Sequence, residues 1–426
     1  MTVFAARVPH VVVVGGGFAG LWAVRALAAA KVRITLVDRG NHHLFQPLLY
    51  QVATAGLSAP DIAAPLRHIL RRQRNVEVRM ATVTGIDSGS KRIALDDGAA
   101  LDFDYLLLAS GATHAYFGNG HWAAHAPGLK TLDDALDLRR KLLLAFERAE
   151  AATDPAQRAA WLHFAIVGGG PTGVELAGTL AEIARHTLKD EFRNIDPAQA
   201  RVRLVEAGPR VLAAFPESLS AKARRQLEKL GVEVVLGAPV NEITADGYRL
   251  GDAFVPAKTV VWAAGVAASP LGAMLGAPLD RAGRVQVQPD LSAPGHPDIF
   301  VAGDLASLAQ ANGKPVPGVA PAAKQMGRLV ARNIRARLAG NATSAFAYRD
   351  YGNLATIGRM AAVVDLGKVK FSGVLAWWFW LLMHVFFLIG FRNRLVVMLN
   401  WTWAYWSYQR AARIILGKDR DPPASG

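Results

Sequence analysis

The sequence contains no cysteine, and this absence limits the chemistry that its side chains can perform. Without thiols, the chain forms no disulfide, no thiolate zinc or iron–sulfur site and no redox-active cysteine pair. The eleven histidines show no metal-ligand spacing apart from the adjacent pair His42 and His43, which is more typical of a loop than of a metal site. The sequence therefore predicts no metal centre and excludes electron transfer through a dithiol.

Acidic residues are few relative to basic ones. The 426 residues include 34 acidic and 48 basic side chains, which gives a formal net charge of +14. This excess indicates an acidic partner, and nucleic acid, anionic lipid and phosphorylated ligands are the candidates. The length is sufficient for two or three domains. No secretory signal is expected, because glycines soon interrupt the apolar run that begins at Val11.

A nucleotide-binding pattern begins at this apolar run. Val11–Val14 predicts a strand buried on both faces, and Leu21–Ala30 predicts the helix that follows. Between them, Gly15, Gly17 and Gly20 have the Gly-x-Gly-x-x-Gly spacing. A second predicted strand, Ile34–Val37, ends at Asp38, whose carboxylate can accept a hydrogen bond from a ribose hydroxyl. The start of the helix offers unpaired amides to a pyrophosphate.

The same pattern occurs again in the middle of the chain. Phe164–Val167 predicts a strand, Val174–Ala184 predicts a helix, and Gly168, Gly170 and Gly173 repeat the spacing. The next predicted strand, Arg203–Val205, ends at Glu206, 38 residues after the first glycine of the motif. The usual separation is about 20 residues. Two such units in one chain indicate two nucleotides, a permanent flavin and a mobile nicotinamide.

Two other strand ends carry candidate site residues. One buried strand ends at Ser110 and Gly111, and another ends at Gly303 and Asp304. Open α/β sheets bind ligands beyond the carboxyl ends of their strands. The segments between the motifs are predicted as a loop over 41–50, a linker around Asp154 and Pro155, and a helix Ala322–Leu338 after a proline-rich stretch.

The C-terminal tail has long uncharged segments. Phe371–Phe391 has 21 residues without a charged side chain, counting histidine as neutral, and Leu395–Gln409 is also uncharged. From position 366 onward, eight basic and two acidic residues supply six of the fourteen net charges. Tryptophan and tyrosine suit the lipid headgroup level, so we favour a helical hairpin in the plane of the membrane interface. A single span and a dimer interface are the alternatives, and a span would place basic residues on both sides.

With these residues laid out, the chain resembles the type II NADH:quinone oxidoreductases, single-subunit flavoproteins that do not pump protons. The resemblance covers essentially the whole chain. It rests on Gly15–Gly20, Asn41–Val52, Ser110–Ala112, Gly168–Gly178, Ala263–Gly265, Val301–Asp304, Tyr351–Arg359 and the G-F-R-N-R stretch of the tail. The family commonly has A-Q-x-A-x-Q where this chain has Ala320–Gln325. Gln325 is kept, and Pro321 replaces the first glutamine.

The resemblance implies a set of site residues. Those implied for FAD are Gly15, Gly17, Gly20, Asp38, Pro47, Leu48, Ser110, Gly111 and Asp304. Those implied for NADH are Gly168, Gly170, Gly173 and Glu206. Gly265, Gly303 and Ala320 complete the expected cofactor-binding set. The implied catalytic residues are Glu175, which the family places beside the flavin and the nicotinamide, and Gln325, in the segment where quinone is expected.

The expected fold class is α/β, with two Rossmann-like dinucleotide-binding domains, for FAD and for NADH, and a C-terminal membrane-associated helical hairpin. The expected FAD-binding domain is discontinuous and comprises residues 1–115 and 280–345. The expected NADH-binding domain comprises residues 116–279. Residues 346–426 form the expected membrane-anchoring region.

The implied activity is that of a membrane-associated NADH dehydrogenase, which passes a hydride from NADH to FAD and then two electrons to a quinone. The expected partners are NADH, a membrane quinone, an anionic lipid surface through residues 366–426 and a second copy of the chain, but no nucleic acid. The expected location is the cytoplasmic face of the cell membrane, peripheral or monotopic. Glu206 argues against NADPH because it would repel a 2′-phosphate, although Arg210 lies nearby.

Three other functions are alternatives to this prediction. A sulfide:quinone oxidoreductase is excluded because its chemistry requires cysteines, and the chain has none. An NADH-dependent reductase of ferredoxin or rubredoxin needs no tryptophan-rich tail. A redox-sensing flavoprotein that binds nucleic acid would use the positive charge for phosphates, but no basic recognition helix supports it.

Overall fold

The computed structural model describes residues 7–310, 313–388, 391–407 and 412–415. The chain divides into two compact units. Unit 1 comprises residues 1–44, 63–114 and 266–351, and unit 2 comprises residues 45–62, 115–265 and 352–426. Each unit is therefore assembled from segments that are distant in the sequence.

The secondary structure alternates strands and helices in the order typical of an α/β fold. The strands are β1 His10–Val14, β2 Arg33–Asp38, β3 His42–Leu44, β4 Ala63–Pro65, β5 Val76–Met80, β6 Val83–Asp87, β7 Arg92–Leu95, β8 Ala100–Asp102, β9 Tyr105–Leu108, β10 Ala112–His114, β11 His163–Val167, β12 Arg201–Glu206, β13 Val232–Leu236, β14 Val240–Ile243, β15 Gly247–Leu250, β16 Ala253–Pro256, β17 Thr259–Trp262, β18 Val266–Ala268, β19 Val285–Gln286, β20 Ser292–Ala293, β21 His296–Val301, β22 Ala306–Ser307, β23 Asn353–Gly358, β24 Ala361–Asp365 and β25 Lys370–Ser372. The helices are α1 Phe18–Ala26, α2 Leu49–Ala53, α3 Ala59–Ile62, α4 Leu66–Leu70, α5 Leu132–Ala151, α6 Pro155–Trp161, α7 Pro171–Glu182, α8 Glu217–Lys229, α9 Ala320–Leu338, α10 Val374–Phe387 and α11 Phe391–Ser407.

Unit 1 is organised around a six-stranded sheet with the order β20-β21-β9-β1-β2-β5. The strands from β21 to β5 are parallel to their neighbours, and β20 pairs antiparallel to β21. Every residue of β1 is buried, as expected for a central parallel strand. Helix α9 packs closely on α1, because a Cβ at Gly327 would overlap the carbonyl oxygen of Ala19. This packing brings the first turn of α9 to the start of α1.

Unit 2 repeats the same plan on a smaller scale. Its main sheet has four parallel strands in the order β13-β12-β11-β17, and β14-β15-β16 form an antiparallel sheet beside it. The apolar core of this unit includes Trp262, whose ring stacks on Tyr116 at a centroid distance of 5.2 Å. Trp122 packs edge-on against the same indole at 5.6 Å. The sequence prediction of two Rossmann-like units is confirmed.

The C-terminal part of unit 2 is an antiparallel sheet, β23-β24-β25, followed by two helices in contact with each other. Trp380 of α10 and Trp401 of α11 lie 5.5 Å apart, and α10 packs on β24. Ala376, Trp380 and Val397 are buried, so the helices contribute to the core of the unit. Within the described residues, no helix has both the length and the apolar composition needed to cross a bilayer.

Several predicted boundaries were wrong. Helix α1 begins at Phe18 and ends at Ala26, so it starts directly after the glycine turn rather than at Leu21. Segment 41–50 is not a loop, because it contains β3 and the start of α2. The predicted linker is the beginning of α6, where the Asp154 carboxylate accepts hydrogen bonds from two helix amides. Helix α9 begins at Ala320 and includes Pro321, which fits the first turn because proline needs no hydrogen-bonded amide there.

We expect Gly178→Ala to destabilise unit 2. Gly178 lies on α7, and a Cβ at this position would overlap the carbonyl oxygen of Ile357 in β23. Relief of this overlap requires the helix and the strand to separate, at a cost of about 1–3 kcal/mol in the free energy of unfolding. Urea denaturation measures the change. The matched control is Gly120→Ala, since a Cβ at Gly120 meets no atom within 4 Å. Equal stability of the two variants would contradict the expectation.

Candidate active site

The glycine motif of unit 1 has the geometry of a phosphate-binding turn. Gly15 has a φ of +103°, and a Cβ there would overlap the Ala109 carbonyl. A Cβ at Gly20 would overlap the carbonyl oxygen of Gly15, so the first and third glycines are required by packing within the protein. A Cβ at Gly17 would meet nothing within 4 Å. The space at the second glycine is therefore free for a close approach by a ligand.

The start of α1 supplies the donors for this space. Gly17 occupies the N-cap position, and no side chain caps the helix. The amides of a first helical turn have no partner within the helix, and they carry the positive end of the helix dipole. A pyrophosphate fits both the open space and these donors.

Asp38 closes the same turn from the end of β2. Its Oδ2 accepts a hydrogen bond from the Gly16 amide at 2.5 Å, and its Oδ1 accepts one from the Gly40 amide at 2.7 Å. An ionised carboxylate has about four lone-pair sites, so both oxygens retain capacity for ribose hydroxyl donors. Asp38 thus holds the glycine turn in shape and leaves acceptors available for a nucleotide.

The motif of unit 2 repeats these relationships. Gly168 has a φ of +114°, and a Cβ there would lie 2.5 Å from the carbonyl group of Ala263. A Cβ at Gly173 would overlap the oxygen of Gly168, whereas a Cβ at Gly170 would meet nothing within 4 Å. Helix α7 also begins without a side-chain cap. The second motif therefore offers the same open turn and the same helix amides as the first.

Glu206 takes the place of Asp38 in unit 2. Its carboxylate accepts hydrogen bonds from the Gly169 amide at 2.5 Å and from the Gly208 amide at 2.6 Å. The Arg210 guanidinium donates to the carbonyl oxygens of Phe215 at 2.7 Å and Ala213 at 2.9 Å. Arg210 is thus held by its own loop rather than aimed at the end of β12. The acceptor at this strand end is the carboxylate of Glu206.

Polar groups of unit 1 also fit a bound cofactor at two other strand ends. The Ser110 hydroxyl is buried and has no hydrogen-bond partner among the described residues. Gly111, the next residue, has a φ of +70°. Gly303 has a φ of +76°, and Asp304 follows it in a half-buried 3₁₀ turn after β21. A buried hydroxyl without a partner is costly, so a cofactor atom at Ser110 would satisfy it.

The start of α9 lies against the start of α1. A Cβ at Gly303 would lie 3.5 Å from Ala19 Cβ and 3.6 Å from Ala323 Cβ, so the three elements converge. Ala320 is the first residue of α9, which has no side-chain cap. Gln325 donates to the Arg349 carbonyl at 2.9 Å and accepts from the Arg349 amide at 3.0 Å. Its side-chain amide therefore holds the segment that follows α9.

An aromatic cluster next to this point was not predicted from the sequence. The Lys324 ammonium lies 5.0 Å from the Phe18 ring centroid and 4.6 Å from that of Trp22. The His43 ring is 5.0 Å from Phe18 and 5.7 Å from Trp22, and its Nδ1 bonds the Gly16 carbonyl at 2.8 Å. Burial lowers the pKa of His43 to about 4 and that of Lys324 to about 8. Of the adjacent histidines, His43 is therefore the one that contacts the glycine turn, through the Gly16 carbonyl.

In unit 2, the other predicted residues occupy separate places. Pro47 and Leu48 form a 3₁₀ turn immediately before α2, and Leu48 is buried. Gly265 ends the segment after β17, and its carbonyl accepts a hydrogen bond from the Ala115 amide at 3.2 Å. These residues lie at the ends of strands and helices of unit 2, which is where α/β folds bind ligands.

Glu175 is buried in the first turns of α7. Its Oε1 lies 3.4 Å from the Thr356 amide of β23, and desolvation raises the pKa of its carboxyl well above the ordinary value. Glu182, two turns later, accepts a hydrogen bond from the Arg359 amide, with Gly178 at the close approach between them. The second glycine motif and the Tyr351–Arg359 stretch are therefore joined along one face of α7.

Comparison with known proteins gives a consistent result. The family model described as pyridine nucleotide-disulphide oxidoreductase matches residues 9–327, and the NDH2 C-terminal domain matches residues 351–406. The chain is 46% identical to the type II NADH:quinone oxidoreductase Ndh of Mycobacterium tuberculosis, over 94% of this chain and 89% of that protein. It is also 46% identical to NdhA of the same organism, over 92% and 86% of the two chains. The structure of Plasmodium falciparum NDH2 in complex with NADH has the same fold, with a TM-score of 0.88, 19% identity and coverage of 96% and 100%.

We expect Glu175→Gln to change how stability depends on pH. Because the folded protein raises the pKa of this carboxyl, it keeps a proton that the unfolded chain releases above its ordinary value of 4.5. The stability that this group contributes is present below that value and is lost as the pH rises toward the folded-state pKa, by up to about 1.4 kcal/mol per pH unit. Glutamine cannot ionise, so the variant should gain stability relative to the parent between about pH 5 and pH 7.

Urea denaturation across this pH range measures the difference in the free energy of unfolding. Glu147→Gln is the matched control, because Glu147 is exposed on α5. A difference for Glu175→Gln that stays constant with pH would show that the carboxyl is ionised in the folded protein.

Proposed function

Because the chain belongs to the type II NADH:quinone oxidoreductases, we propose that it oxidises NADH through FAD and reduces a membrane quinone without pumping protons. The observation that carries this proposal is the repeated nucleotide turn. In both units an acidic residue at the end of the second strand accepts a hydrogen bond from the amide between the first and second motif glycines, Gly16 or Gly169, and another from a later amide. Two complete nucleotide sites in one chain fit a bound flavin and an exchangeable nicotinamide.

The proposed assignments follow the family resemblance and the fit of the residues. FAD is assigned to Gly15, Gly17, Gly20, Asp38, Pro47, Leu48, Ser110, Gly111, Gly303, Asp304 and Ala320. NADH is assigned to Gly168, Gly170, Gly173, Glu206 and Gly265. The corresponding domains are residues 1–115 with 280–345 for FAD and residues 116–279 for NADH. FAD held by these residues would supply the redox chemistry, namely hydride acceptance from NADH and two-electron transfer to the quinone.

The side chains of the protein have supporting roles in this proposal. The amides at the start of α9 favour negative charge near their end of the helix. Burial raises the pKa of Glu175, which favours the neutral form of the carboxyl that the family resemblance places beside the flavin and the nicotinamide. Gln325 positions the segment around Arg349, close to the proposed quinone site at 320–325.

The choice of NADH over NADPH rests on Glu206. A 2′-phosphate on the adenosine ribose would face a carboxylate, and like charges repel. The guanidinium of Arg210 is already engaged by two backbone carbonyls of its own loop. We therefore infer that Arg210 does not compensate for the repulsion.

The tail is proposed as the membrane contact. Exposed apolar side chains are concentrated on α10 and α11, among them Leu375, Trp378, Leu382, Phe386, Leu395, Met398 and Leu399. An apolar surface of this kind marks an interaction site on a soluble protein. The basic residues from position 366 onward add attraction to anionic lipid. We propose peripheral or monotopic attachment of residues 346–426 at the cytoplasmic face; a homodimer stays a prediction.

We expect NADH, but not NADPH at the same concentration, to bleach the flavin absorbance of the purified holoenzyme under anaerobic conditions. A short-chain quinone should then restore the yellow colour rapidly. Bleaching without restoration by quinone would replace the quinone with a small redox protein, such as a ferredoxin or a rubredoxin. Failure of both nucleotides to bleach the flavin would contradict the proposed function.

We expect the double variant Leu375→Glu and Leu382→Glu to leave the membrane fraction while NADH still reduces its flavin. These side chains are 76% and 61% exposed, so the charges alter the surface rather than the core. The control is Leu338→Glu, an exposed leucine at the end of α9. Deletion after Lys370 is a poorer test, because it removes the helix that packs on β24. Retention of the double variant on membranes after a salt wash would refute this docking surface.

A further inference from the structure

Lys324 lies at the start of α9, on the side of the helix that packs on α1. Its ammonium is above two aromatic rings of α1, at 5.0 Å from Phe18 and 4.6 Å from Trp22. Phe18 is the first residue of α1, and Trp22 follows one turn later. A cation over aromatic faces is stabilised by the quadrupoles of the rings. The rings therefore hold the amine in a defined place, one residue before Gln325.

Arg328 of the same helix and His43 of β3 interact electrostatically with this ammonium. The Arg328 guanidinium disfavours the charged form of Lys324. Burial lowers the pKa of His43 to about 4, which keeps that ring neutral. Desolvation lowers the pKa of Lys324 to about 8. The ammonium is thus charged at neutral pH and able to release a proton.

In the proposed reaction, the substrates NADH and quinone together carry one proton fewer than the products NAD⁺ and hydroquinone. NADH and a quinone give NAD⁺ and a hydroquinone only when one further proton is added. The hydride carries two electrons and one hydrogen nucleus, so the second quinone oxygen must take its proton from the protein or from water. General acid catalysis of such a transfer contributes about 10²–10⁴ in rate when the acid has a pKa near the working pH.

We propose that Lys324, held over Phe18 and Trp22, is the general acid that protonates the quinone during its reduction. This inference rests on the proposed function and on the assignment of quinone to the 320–325 segment. In the step, an Nζ–H bond of Lys324 breaks and an O–H bond of the hydroquinone forms, as two electrons reach the quinone. The neutral amine then regains a proton from water. Residue 321, one turn earlier on the same face of α9, is a proline and offers no donor.

The test separates proton delivery from electron delivery. Lys324→Met removes the charge and the proton, whereas Lys324→Arg keeps a cation that stacks on aromatic rings but scarcely deprotonates. Stopped-flow absorbance would follow flavin reduction by NADH and then reoxidation, either by a short-chain ubiquinone or by ferricyanide, which accepts electrons without protons. Arg332→Met is the matched control, because it removes an exposed positive charge two turns further along α9.

We expect reoxidation by quinone to slow by about 100-fold or more in both Lys324 variants. Reduction by NADH and reoxidation by ferricyanide should stay within about twofold of the parent, and so should all rates of Arg332→Met. The quinone step of the parent should fall as the pH rises through about 8, and this decline should be absent in Lys324→Met. These results together would support the proposal.

A second measurement does not depend on turnover. An amine-acylating reagent, followed by peptide mass spectrometry of the holoenzyme, reports the reactivity of Lys324 as a function of pH, with exposed Lys222 as the reference. Reactivity should rise through about pH 8, and a short-chain ubiquinone added without NADH should protect Lys324 but not Lys222.

Three results would overturn the inference. Parent-like reoxidation of Lys324→Arg by quinone would reduce Lys324 to an electrostatic role. Equal loss with ferricyanide would indicate damage to the flavin site. Disappearance of the alkaline decline in Glu175→Gln, but not in Lys324→Met, would assign the proton to Glu175. If the parent flavin is reduced by NADH and quinone fails to reoxidise it, the proposed function fails first and the inference fails with it.

Discussion

Both nucleotide turns depend on a carboxylate that fastens a glycine loop to the end of the neighbouring strand. Asp38 accepts from the amides of Gly16 and Gly40, and Glu206 accepts from those of Gly169 and Gly208. Hydrogen bonds from amides to an ionised acceptor are stronger than neutral ones, and they orient the loop before any ligand arrives. Each acid therefore fixes the turn that exposes the helix amides and keeps acceptors for a ribose.

Several glycines allow close contacts that a side chain would prevent. Gly15 and Gly168 adopt positive φ beneath a neighbouring strand end, whereas Gly327 and Gly178 permit helices to touch carbonyl groups of other elements. The packing of α9 on α1 and of α7 on β23 follows from these two contacts. The glycines of the motifs and those outside them thus act together, because the motif shapes the turn and the other glycines bring the supporting element against it.

The parts of the site that follow from local patterns could be predicted from the sequence. The strand, glycine turn, helix and terminal acid are consecutive, so the spacing of Gly15, Gly17, Gly20 and Asp38 was sufficient. Asp154 before Pro155 is also a local signal, because an N-cap residue followed by proline at the first helical position indicates a helix start rather than a linker. The short strand β3 escaped prediction because its partner β4 lies about twenty residues later.

The aromatic cluster could not be predicted for the same reason. Lys324 meets Phe18 and Trp22 only because α9 returns to the start of α1 across some three hundred residues, and no periodicity in the sequence records that return. Glu175 likewise accepts a hydrogen bond from the Thr356 amide of a distant strand. Sequence patterns therefore locate the two glycine turns, whereas the titratable groups acquire their properties from tertiary packing.

Burial shifts the pKa values of Glu175 and Lys324 in opposite directions, and in both cases it favours the uncharged form. Desolvation raises the pKa of Glu175 and lowers that of Lys324, because in each case it disfavours the charged form. Burial therefore favours the neutral carboxyl at Glu175, while the amine of Lys324, with a pKa of about 8, still carries its proton at neutral pH. In both cases desolvation is the largest cause of the shift, so the protonation behaviour of the two groups is set chiefly by tertiary packing. No local sequence motif encodes this property, because it depends on segments that are distant in the chain.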